Sequence, residues 1–288
     1  MKQKWKDKTI SDYRTGRGTR ICKDMISLVM VLYSFITIFL IAVTVTNSFK
    51  TKTELIRNIT GWPQKPTLEN YVTVFVEEKF WRYILNSVCL VGVALILMIA
   101  VSSLLAYGVA QYDFRGKGFL QGYFLVGLMV PVQLTILPLY LMLSKAGLAN
   151  IYGLMIIYAA NFSFAFTIFT RFFEEFPVAV IESARIDGAG DLTIFAGIIV
   201  PVSKSVFFTV GLLQFIMVWN DFFLPMVFIQ KKSAYTLTLA IYEYTCNFLK
   251  NWDKIFSAVT VALIPILIIY FLFSEQIVSG LTGGSVKE

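Results

Sequence analysis

Apolar residues in this chain are collected into six long runs separated by shorter polar segments. Each run is about as long as the roughly 20 helical residues that cross a hydrocarbon layer of about 30 Å. None of them alternates apolar and polar residues at every second position, as the strands of a membrane barrel would. The pattern predicts an all-α membrane protein with six transmembrane helices. The predicted spans are Met25–Thr46, Ile84–Val109, Phe119–Leu143, Ile151–Thr170, Val206–Ile229 and Phe256–Phe273.

The polar segment between the fourth and fifth predicted spans, at about residues 171–204, has a helical pattern of its own. Pro177 suits the first turn of a helix, where its missing N–H is not needed. Val178, Ile181 and Ala184 follow at helical spacing and form a short apolar stripe beside charged neighbours. A helix is therefore expected in a segment that is too polar to lie inside the bilayer.

A turn and a second helix are predicted to follow. Asp187 and Gly188 form a turn signal, and Gly188 is expected to adopt a positive φ. Asp191 is expected to cap the next helix, Leu192–Ile199. Residues 177–199, which we call the finger, are thus predicted to form a helix-turn-helix that lies along the membrane. An amphipathic helix on the membrane surface with no protein partner is the alternative.

Composition and charge limit the class and the orientation. The chain is 57% hydrophobic and 15% charged, with a mean hydropathy of +0.71, which is typical of a membrane protein. Residues 1–24 carry eight Lys or Arg against three Asp, so this tail is expected in the cytoplasm. With six spans, the tail at 274–288 is expected there too. The net charge of +7 is densest in the first tail, which favours anionic lipid rather than nucleic acid as its partner.

Several kinds of chemistry have no basis in this sequence. The chain contains no histidine, so His-ligated zinc and Ser-His-Asp triads cannot be built within it. It also lacks the glycine-rich signatures that cradle ATP or a dinucleotide. We therefore expect no catalytic residues, no metal and no cofactor in this chain. If ATP drives the protein, a separate polypeptide must bind it.

Motifs along most of the chain resemble those of the permease subunits of carbohydrate-uptake ABC transporters of the maltose-transporter type. Glu182-Ser183-Ala184, Gly188 and Ile198-Ile199-Val200-Pro201 are similar to that family's E-A-A-x-x-x-G and I-x-L-P loop, with Ser183 in place of the first alanine. The other matching segments are Pro66–Tyr71, Asn86-Ser87, Ala106-Tyr107, Phe114–Gly116, Pro131–Gln133, Pro138–Tyr140, Trp219–Phe222 and Gly280–Lys287, the last with Ser285 in place of alanine.

The resemblance implies partners and a place in a larger assembly. This chain and a second homologous permease subunit would form the pathway, two ATPase subunits would use ATP and Mg²⁺, and an extracytoplasmic solute-binding protein would deliver the sugar. The location would be a prokaryotic plasma (inner) membrane. Contact with the ATPase would fall to residues of the finger. Those residues are Glu182, Ser183, Ala184, Asp187 and Gly188.

Polar residues inside the predicted spans are candidates for the sugar pathway, because they are costly in lipid and should face protein or water. The candidates are Gln133, Asn161, Gln214, Asn220 and Asp221, together with the aromatic Trp219. Pro225 cannot donate to the carbonyl of residue 221, so a kink is expected there. Polar side chains that only repair the backbone of this kink are the alternative.

The outer segment 230–255 combines lysines with aromatic residues, as protein interfaces do. Tyr235, Tyr242, Tyr244 and Trp252 are therefore candidate contacts for the solute-binding protein. Anchoring in the lipid headgroups is the alternative, because Tyr and Trp also favour that region.

The sequence thus predicts a non-catalytic permease subunit of an ATP-driven sugar importer. A secondary transporter driven by an ion gradient is the main alternative. Such a transporter is expected to use acidic residues within the membrane, and Asp221 is the only Asp or Glu well inside a predicted span. An intramembrane enzyme is disfavoured by the missing histidines.

Overall fold

The computed structural model describes the backbone of residues 17–246 and 252–282, and side chains over 23–246 and 252–272. Within these ranges all regular structure is helical, as predicted, with no strand. Four single helices and two bent helix pairs are long and apolar enough to cross a membrane, which gives six crossings if each bent pair is one span. We number the spans 1 to 6 in chain order. They are Arg17–Ser48, Phe80–Gln111, the bent pair Lys117–Met129 and Val132–Lys145, Ile151–Glu174, Lys204–Asn220, which continues as Phe223–Phe228, and Trp252–Thr282. The second bent pair is Asp191–Val202 with Lys204–Asn220, bent by 78°, and its first helix begins in the finger.

Shorter helices connect the spans. On the side where span 2 begins they are Lys52–Arg57, Glu69–Val72 with a π-turn at Thr73–Glu77, the 3-10 turn Lys232–Ala234, and Leu237–Thr245. Between spans 4 and 5 they are Val178–Ile186 and Asp191–Val202.

The first and last spans extend beyond the apolar runs that predict them. The helix of span 1 begins at Arg17, inside the predicted tail, and the helix of span 6 continues through Thr282, beyond the predicted end of the membrane span at residue 273. Lys, Arg, Glu and Gln are good helix formers, so a helix passes easily from an apolar run into a polar flank. The earlier basic residues at 1–16, the segment 247–251 and the last residues at 283–288 lie outside the described residues.

Span 3 is bent by 92°, whereas the sequence pattern predicts one straight helix over Phe119–Leu143. The bend falls at Val130, whose backbone is extended with φ −88° and ψ 112°, and at Pro131 after it. A residue before proline is pushed out of the α conformation, and proline has no N–H to donate. The apolar run therefore crosses a proline that divides it into two helices.

Spans 4 and 5 are also interrupted. In span 4 the helix Ile151–Ala160 ends at Asn161, and Ser163–Glu174 begins after Phe162. In span 5 the helix ends at Asn220. Asp221 is extended, with φ −71° and ψ 126°, where Pro225 predicts a kink. The predicted fifth span up to Ile229 is thus a long helix followed by the short helix Phe223–Phe228.

Span 2 is the centre of the packing. Its first half contributes Phe80 and Leu90 to one buried hydrophobic cluster, which also contains residues of span 4 and of the outer segments. Its second half contributes Met98 and Ala106 to another, which includes phenylalanines of span 4 and residues of the finger. Span 1, in contrast, is exposed along its apolar stretch from Met25 to Leu40.

Two of the short motifs fasten the outer segments to the spans. The Asn70 side chain donates to the carbonyls of Ser48 and Lys50 at the end of span 1, at 2.9 and 2.8 Å, and so satisfies carbonyls that lack a helical partner. Tyr71 adds a hydroxyl contact of 2.6 Å to Ser48.

The second motif, Asn86-Ser87, acts near the start of span 2. Asn86 donates to the carbonyls of Ser233 and Tyr235, at 3.0 and 2.9 Å, and the hydroxyl of Ser87 accepts from the backbone of Leu237 at 2.8 Å. These bonds hold the segment 231–237 against span 2.

Candidate functional site

The interruptions of spans 3, 4 and 5 meet around one cavity of about 320 Å³. Val132 and Gln133 come from the bend in span 3, Asn161 from the gap in span 4, and Asp221 from the break in span 5. Backbone groups at helix ends lack partners within the helix, and irregular backbone at membrane depth is tolerated only where protein or water covers it. The three interruptions therefore bring polar groups together around this one cavity.

Five of the six predicted pathway residues line this cavity, together with Tyr158 and an apolar wall. The five are Gln133, Asn161, Gln214, Asn220 and Asp221. Trp219 does not line it, because its side chain is only 3% exposed and stacks on Phe215 with ring centroids 5.4 Å apart. The expectation that Trp219 faces the pathway is therefore corrected. Successive helical residues point about 100° apart, so Trp219 faces the core while Asn220 faces the cavity.

Asp221 connects the elements around this cavity. One carboxylate oxygen accepts from the backbone N–H groups of Phe223 and Leu224, at 2.8 and 3.4 Å, and so caps the short helix that follows. The other oxygen accepts from the Tyr158 hydroxyl at 2.8 Å. Its backbone carbonyl accepts from the Thr238 hydroxyl at 2.9 Å. The side chain both repairs the broken helix and borders the cavity, so it combines the two roles that the sequence leaves as alternatives.

The finger forms with a sharply defined turn. Helix Val178–Ile186 ends at Asp187, and Gly188 has φ +83°. The Gly188 N–H donates to the Arg185 carbonyl, and the Ala189 N–H donates to the Ala184 carbonyl, both at 3.0 Å. This is the Schellman pattern, which needs a left-handed residue at the position of Gly188. The positive φ predicted for Gly188 is confirmed.

A cluster that the sequence does not reveal ties the finger to span 2. Tyr112, the residue after span 2, donates its hydroxyl to Asp191 at 2.5 Å. Arg185 bonds the other oxygen of Asp191 at 3.1 Å, and its guanidinium lies 5.7 Å from the centre of the Tyr112 ring. We call Tyr112, Arg185 and Asp191 the clasp. The sequence predicts Asp191 as the N-cap of the second finger helix, but in the structure Gly190 is the N-cap and Asp191 is the first residue of that helix.

The charges of the clasp agree with its hydrogen bonds. The bond from Tyr112, followed by the Arg185 guanidinium, lowers the pKa of the Asp191 carboxyl. The same bond to a carboxylate raises the pKa of the Tyr112 hydroxyl. The carboxylate and the protonated phenol therefore stabilise each other over the neutral pH range.

Only part of the finger surface is free. Ile181 and Ala184 are buried, 2% and 9% exposed, in the cluster shared with spans 2 and 4. The proposed contact role of the Ala184 side chain is therefore corrected, because it packs inside its own chain. Glu182, Ser183, Asp187 and Gly188 are exposed. The exposed apolar side chains beside the turn are Ile186 and Leu192, at 85% and 73%.

The four candidate outer aromatic residues have different environments. Tyr242 is 39% exposed and stacks on Phe222, with ring centroids 4.9 Å apart. Tyr244 is buried, 7% exposed, and stacks on Phe80 of span 2. The Tyr244 side chain is thus part of the core, which corrects its expected surface role. Tyr235 and Trp252 are half-buried.

Curated relatives match nearly the whole chain. The arabinooligosaccharides transport system permease protein AraQ of Halalkalibacterium halodurans is 30% identical over 258 residues, which cover 88% of this chain and 92% of the relative. The diacetylchitobiose uptake system permease protein NgcG of Streptomyces coelicolor is 31% identical over 263 residues, covering 90% of this chain and 87% of the relative.

Solved structures share the fold. A bacterial ABC transporter involved in the import of the acidic polysaccharide alginate contains a chain with a TM-score of 0.79 at 20% identity, covering 90% of this chain and 97% of that chain. The alginate transporter in complex with its alginate pentasaccharide-bound periplasmic protein gives 0.62 at 18% identity, with the same coverage. Residues 98–282 match the family described as binding-protein-dependent transport system inner membrane component, and the chain, with its bent spans and the finger between spans 4 and 5, belongs to that family.

Proposed function

We propose that this chain is one of two permease subunits that form the pathway of an ATP-driven importer, and that its cargo is a sugar or oligosaccharide. The observation that carries the proposal is the meeting of three helix interruptions around one polar cavity. Among the relatives, proteins named for arabinooligosaccharides and diacetylchitobiose support the carbohydrate class.

The chemistry of the cavity suits a polyhydroxylated ligand. The side-chain amides of Gln133, Asn161 and Asn220 each offer a donor and an acceptor, which matches hydroxyl groups that also do both. Met217, Val218 and Leu224 supply an apolar wall against which the C–H face of a sugar ring can pack. A volume of about 320 Å³ is at the lower end of small-molecule sites, about 300–1,000 Å³, and a second permease subunit would enlarge the space.

The finger is the proposed contact with the ATPase subunits, which would bind ATP and Mg²⁺. Its outer face carries exposed Glu182 and Asp187 beside exposed Ile186 and Leu192. Its inner face is packed with spans 2 and 4. A push on the outer face would therefore move those spans with the finger, while this chain itself remains non-catalytic.

The opposite face of the chain is the proposed contact with a solute-binding protein. Tyr242 is the exposed aromatic residue of the helix Leu237–Thr245, and Tyr235 lies half-buried just before that helix. In this arrangement both termini lie in the cytoplasm of a prokaryotic cell, as the basic residues of the N-terminal tail favour.

The ion-coupled alternative has less support. Asp221 is the acidic residue available for ion coupling, and its carboxylate already accepts three hydrogen bonds, two of which cap a helix. Protonation of this group would weaken the cap with each transport cycle. Asp221 is therefore better suited to a structural and lining role.

Reconstitution tests the proposed function. The chain is purified with its neighbouring permease, ATPase and binding-protein subunits, placed in liposomes, and supplied with labelled arabino-, chito- or malto-oligosaccharides. We expect uptake that requires ATP, the ATPase subunits and the binding protein together. Uptake by the permease subunits alone under an ion gradient would establish the alternative instead.

A further inference from the structure

The two ends of span 2 are fastened by side-chain hydrogen bonds to different parts of the molecule. At one end the clasp joins Tyr112 to the finger through Asp191. At the other end Asn86 and Ser87 hold the segment 231–237. Asp191 and this outer segment are far from span 2 in sequence, so these bonds are tertiary contacts of the fold.

Span 2 is an unbroken helix between these two fastenings. Its 32 residues correspond to about 48 Å at 1.5 Å per residue, and it contains no proline. Spans 3, 4 and 5 are each interrupted at the level of the cavity, where an interruption can absorb a displacement as a local change of angle. Span 2 packs against spans 4 and 5, which line the cavity, and its unbroken helix is therefore suited to carry a displacement across the membrane.

The outer segment held by span 2 is bonded to a residue that lines the cavity. Thr238 follows Leu237, whose backbone N–H donates to Ser87, and the Thr238 hydroxyl donates to the Asp221 carbonyl at the break in span 5. Gln230, at the start of the segment, donates to the Tyr140 hydroxyl of span 3 at 3.1 Å. Residues 230–238 thus bridge spans 3 and 5, and we call them the roof.

We propose that span 2 is a rod that couples the finger to the roof of the cavity. Tyr112 is the positioning residue at its inner end and Asn86 is the positioning residue at its outer end. The inference rests on the proposed function, because it takes the finger as the element that the ATPase moves. It adds a route by which that movement reaches the outer side of the cavity.

The bonds at each end are suited to transmit force. The clasp joins a carboxylate to a phenol and a guanidinium at an exposed position, so its contribution lies in fixing the geometry of these three side chains rather than in a large bond energy. Asn86 donates to two carbonyls of one segment, so its side chain fixes both the position and the direction of that segment. Removing the Tyr112 hydroxyl takes away its hydrogen bond to Asp191, and removing the Asn86 amide takes away two of the three bonds to the segment 231–237. Each change weakens the polar fastening at one end of the rod and leaves its apolar packing in place.

A fluorescence measurement on the assembled transporter tests the rod without any sugar. Cys246, an exposed cysteine at the end of the helix Leu237–Thr245 that follows the roof, carries an environment-sensitive dye after Cys22 and Cys89 are replaced by serine. The ATPase subunits are then trapped with ATP and vanadate. We expect a change of signal in the parent complex.

Variants at the two ends then decide whether span 2 carries this signal. Tyr112→Phe and Asn86→Ala should each reduce its amplitude about fivefold, the lower range of ordinary coupling between sites, while ATP hydrolysis persists. Tyr33→Phe, on exposed span 1, is the matched control and should keep the full amplitude. Asp191→Asn is the second variant for the inner end, should Tyr112→Phe assemble poorly.

The outcomes separate this inference from the proposed function. Full amplitude in both Tyr112→Phe and Asn86→Ala, or no signal in the parent complex, would overturn the rod. A merely structural role would lower assembly and ATP hydrolysis together with the amplitude. Failure of oligosaccharide uptake by the parent complex concerns the proposed function instead, because the fluorescence measurement contains no sugar.

Discussion

The Tyr158 hydroxyl lies 2.8 Å from the Asp221 carboxylate, and this hydrogen bond joins span 4 to the break in span 5. The two residues are 63 positions apart, and both line the cavity. The bond leaves the other oxygen of Asp221 to cap the helix Phe223–Phe228. One carboxylate therefore fixes the shape of the cavity wall as well as its polarity.

Substitutions at Asp221 should separate these contributions. Asp221→Asn keeps an acceptor for the cap, so assembly should be close to normal. Asp221→Ala removes the cap and the partner of Tyr158, and should cost about 1–3 kcal/mol of stability. Unfolding in mixed detergent micelles measures the stability of both variants. Tyr158→Phe is the control, because it loses only the hydrogen bond between Tyr158 and Asp221. Equal stability of Asp221→Ala and the unaltered chain would contradict the capping role.

Pro225→Ala should leave the break in span 5 in place. The proline predicts the kink, but the extended backbone of Asp221 is also held by its own side chain and by Thr238. Restoring one N–H does not remove those bonds. Distances between spin labels on either side of residue 221 should therefore be the same in Pro225→Ala and in the unaltered chain. If these distances lengthen to those of a straight helix, the proline alone causes the break.

Gly188→Val should disable the finger. A β-branched residue at φ +83° is strained by about 1–3 kcal/mol, although no neighbouring atom blocks the added side chain. We expect the variant to reach the membrane but to lose ATP hydrolysis stimulated by binding protein. Gly190→Ala is the matched control, because Gly190 has φ −74° and open space around it. Normal stimulation in Gly188→Val would remove the turn from the coupling mechanism.

Cysteine crosslinking should distinguish the two faces of the finger. In a background without native cysteines, Ile186→Cys is expected to crosslink to the ATPase subunit, because this side chain is 85% exposed. Ala184→Cys, at a position only 9% exposed and packed in the core, should not. The reverse result would mean that the finger docks through its inner face.

Two neighbouring outer tyrosines should respond differently to truncation. Tyr242→Ala removes an exposed ring and should weaken binding-protein association by up to about tenfold, with normal yield. Tyr244→Ala removes a buried ring stacked on Phe80 and should cost about 3–5 kcal/mol of stability. Affinity in detergent and thermal unfolding measure the two effects. Unchanged affinity of Tyr242→Ala would favour lipid anchoring for that residue.

The clasp should weaken in acid. The pKa of Asp191 is lowered in the folded protein, so its contribution is complete above the unfolded value of about 3.9 and is lost as the pH falls through the lower folded value. Between pH 5 and 8 the clasp should stay intact. The accessibility of the finger to protease is measured from pH 7 to pH 3, and Asp191→Asn should lack the increase in acid that the unaltered chain shows. If the variant and the unaltered chain give the same pH profile, groups other than Asp191 cause the loosening.

Membrane class and the place of the finger are determined by the sequence. Lipid cannot form hydrogen bonds with free backbone groups, so a run of about 20 apolar residues that crosses the membrane must be helical. The hydropathy of the sequence alone therefore predicts the transmembrane helices. The turn at Gly188 is local too, since it depends on one residue that tolerates a positive φ. Pro225 likewise marks the break in span 5, whereas the apolar run of span 3 predicts one helix and the 92° bend at Pro131 appears only in the structure.

Only the tertiary structure decides which side chains meet. The spans are apolar on nearly every side, so their pattern does not reveal which face is buried, and lipid gives no hydrophobic force that would select one. This is why Trp219 faces the core while Asn220 faces the cavity, and why Ala184 is buried beside exposed Ile186. The bond between Tyr112 and Asp191 spans 79 positions and has no local signal. Such pairs depend on the rotation and crossing of whole helices, which packing between spans determines.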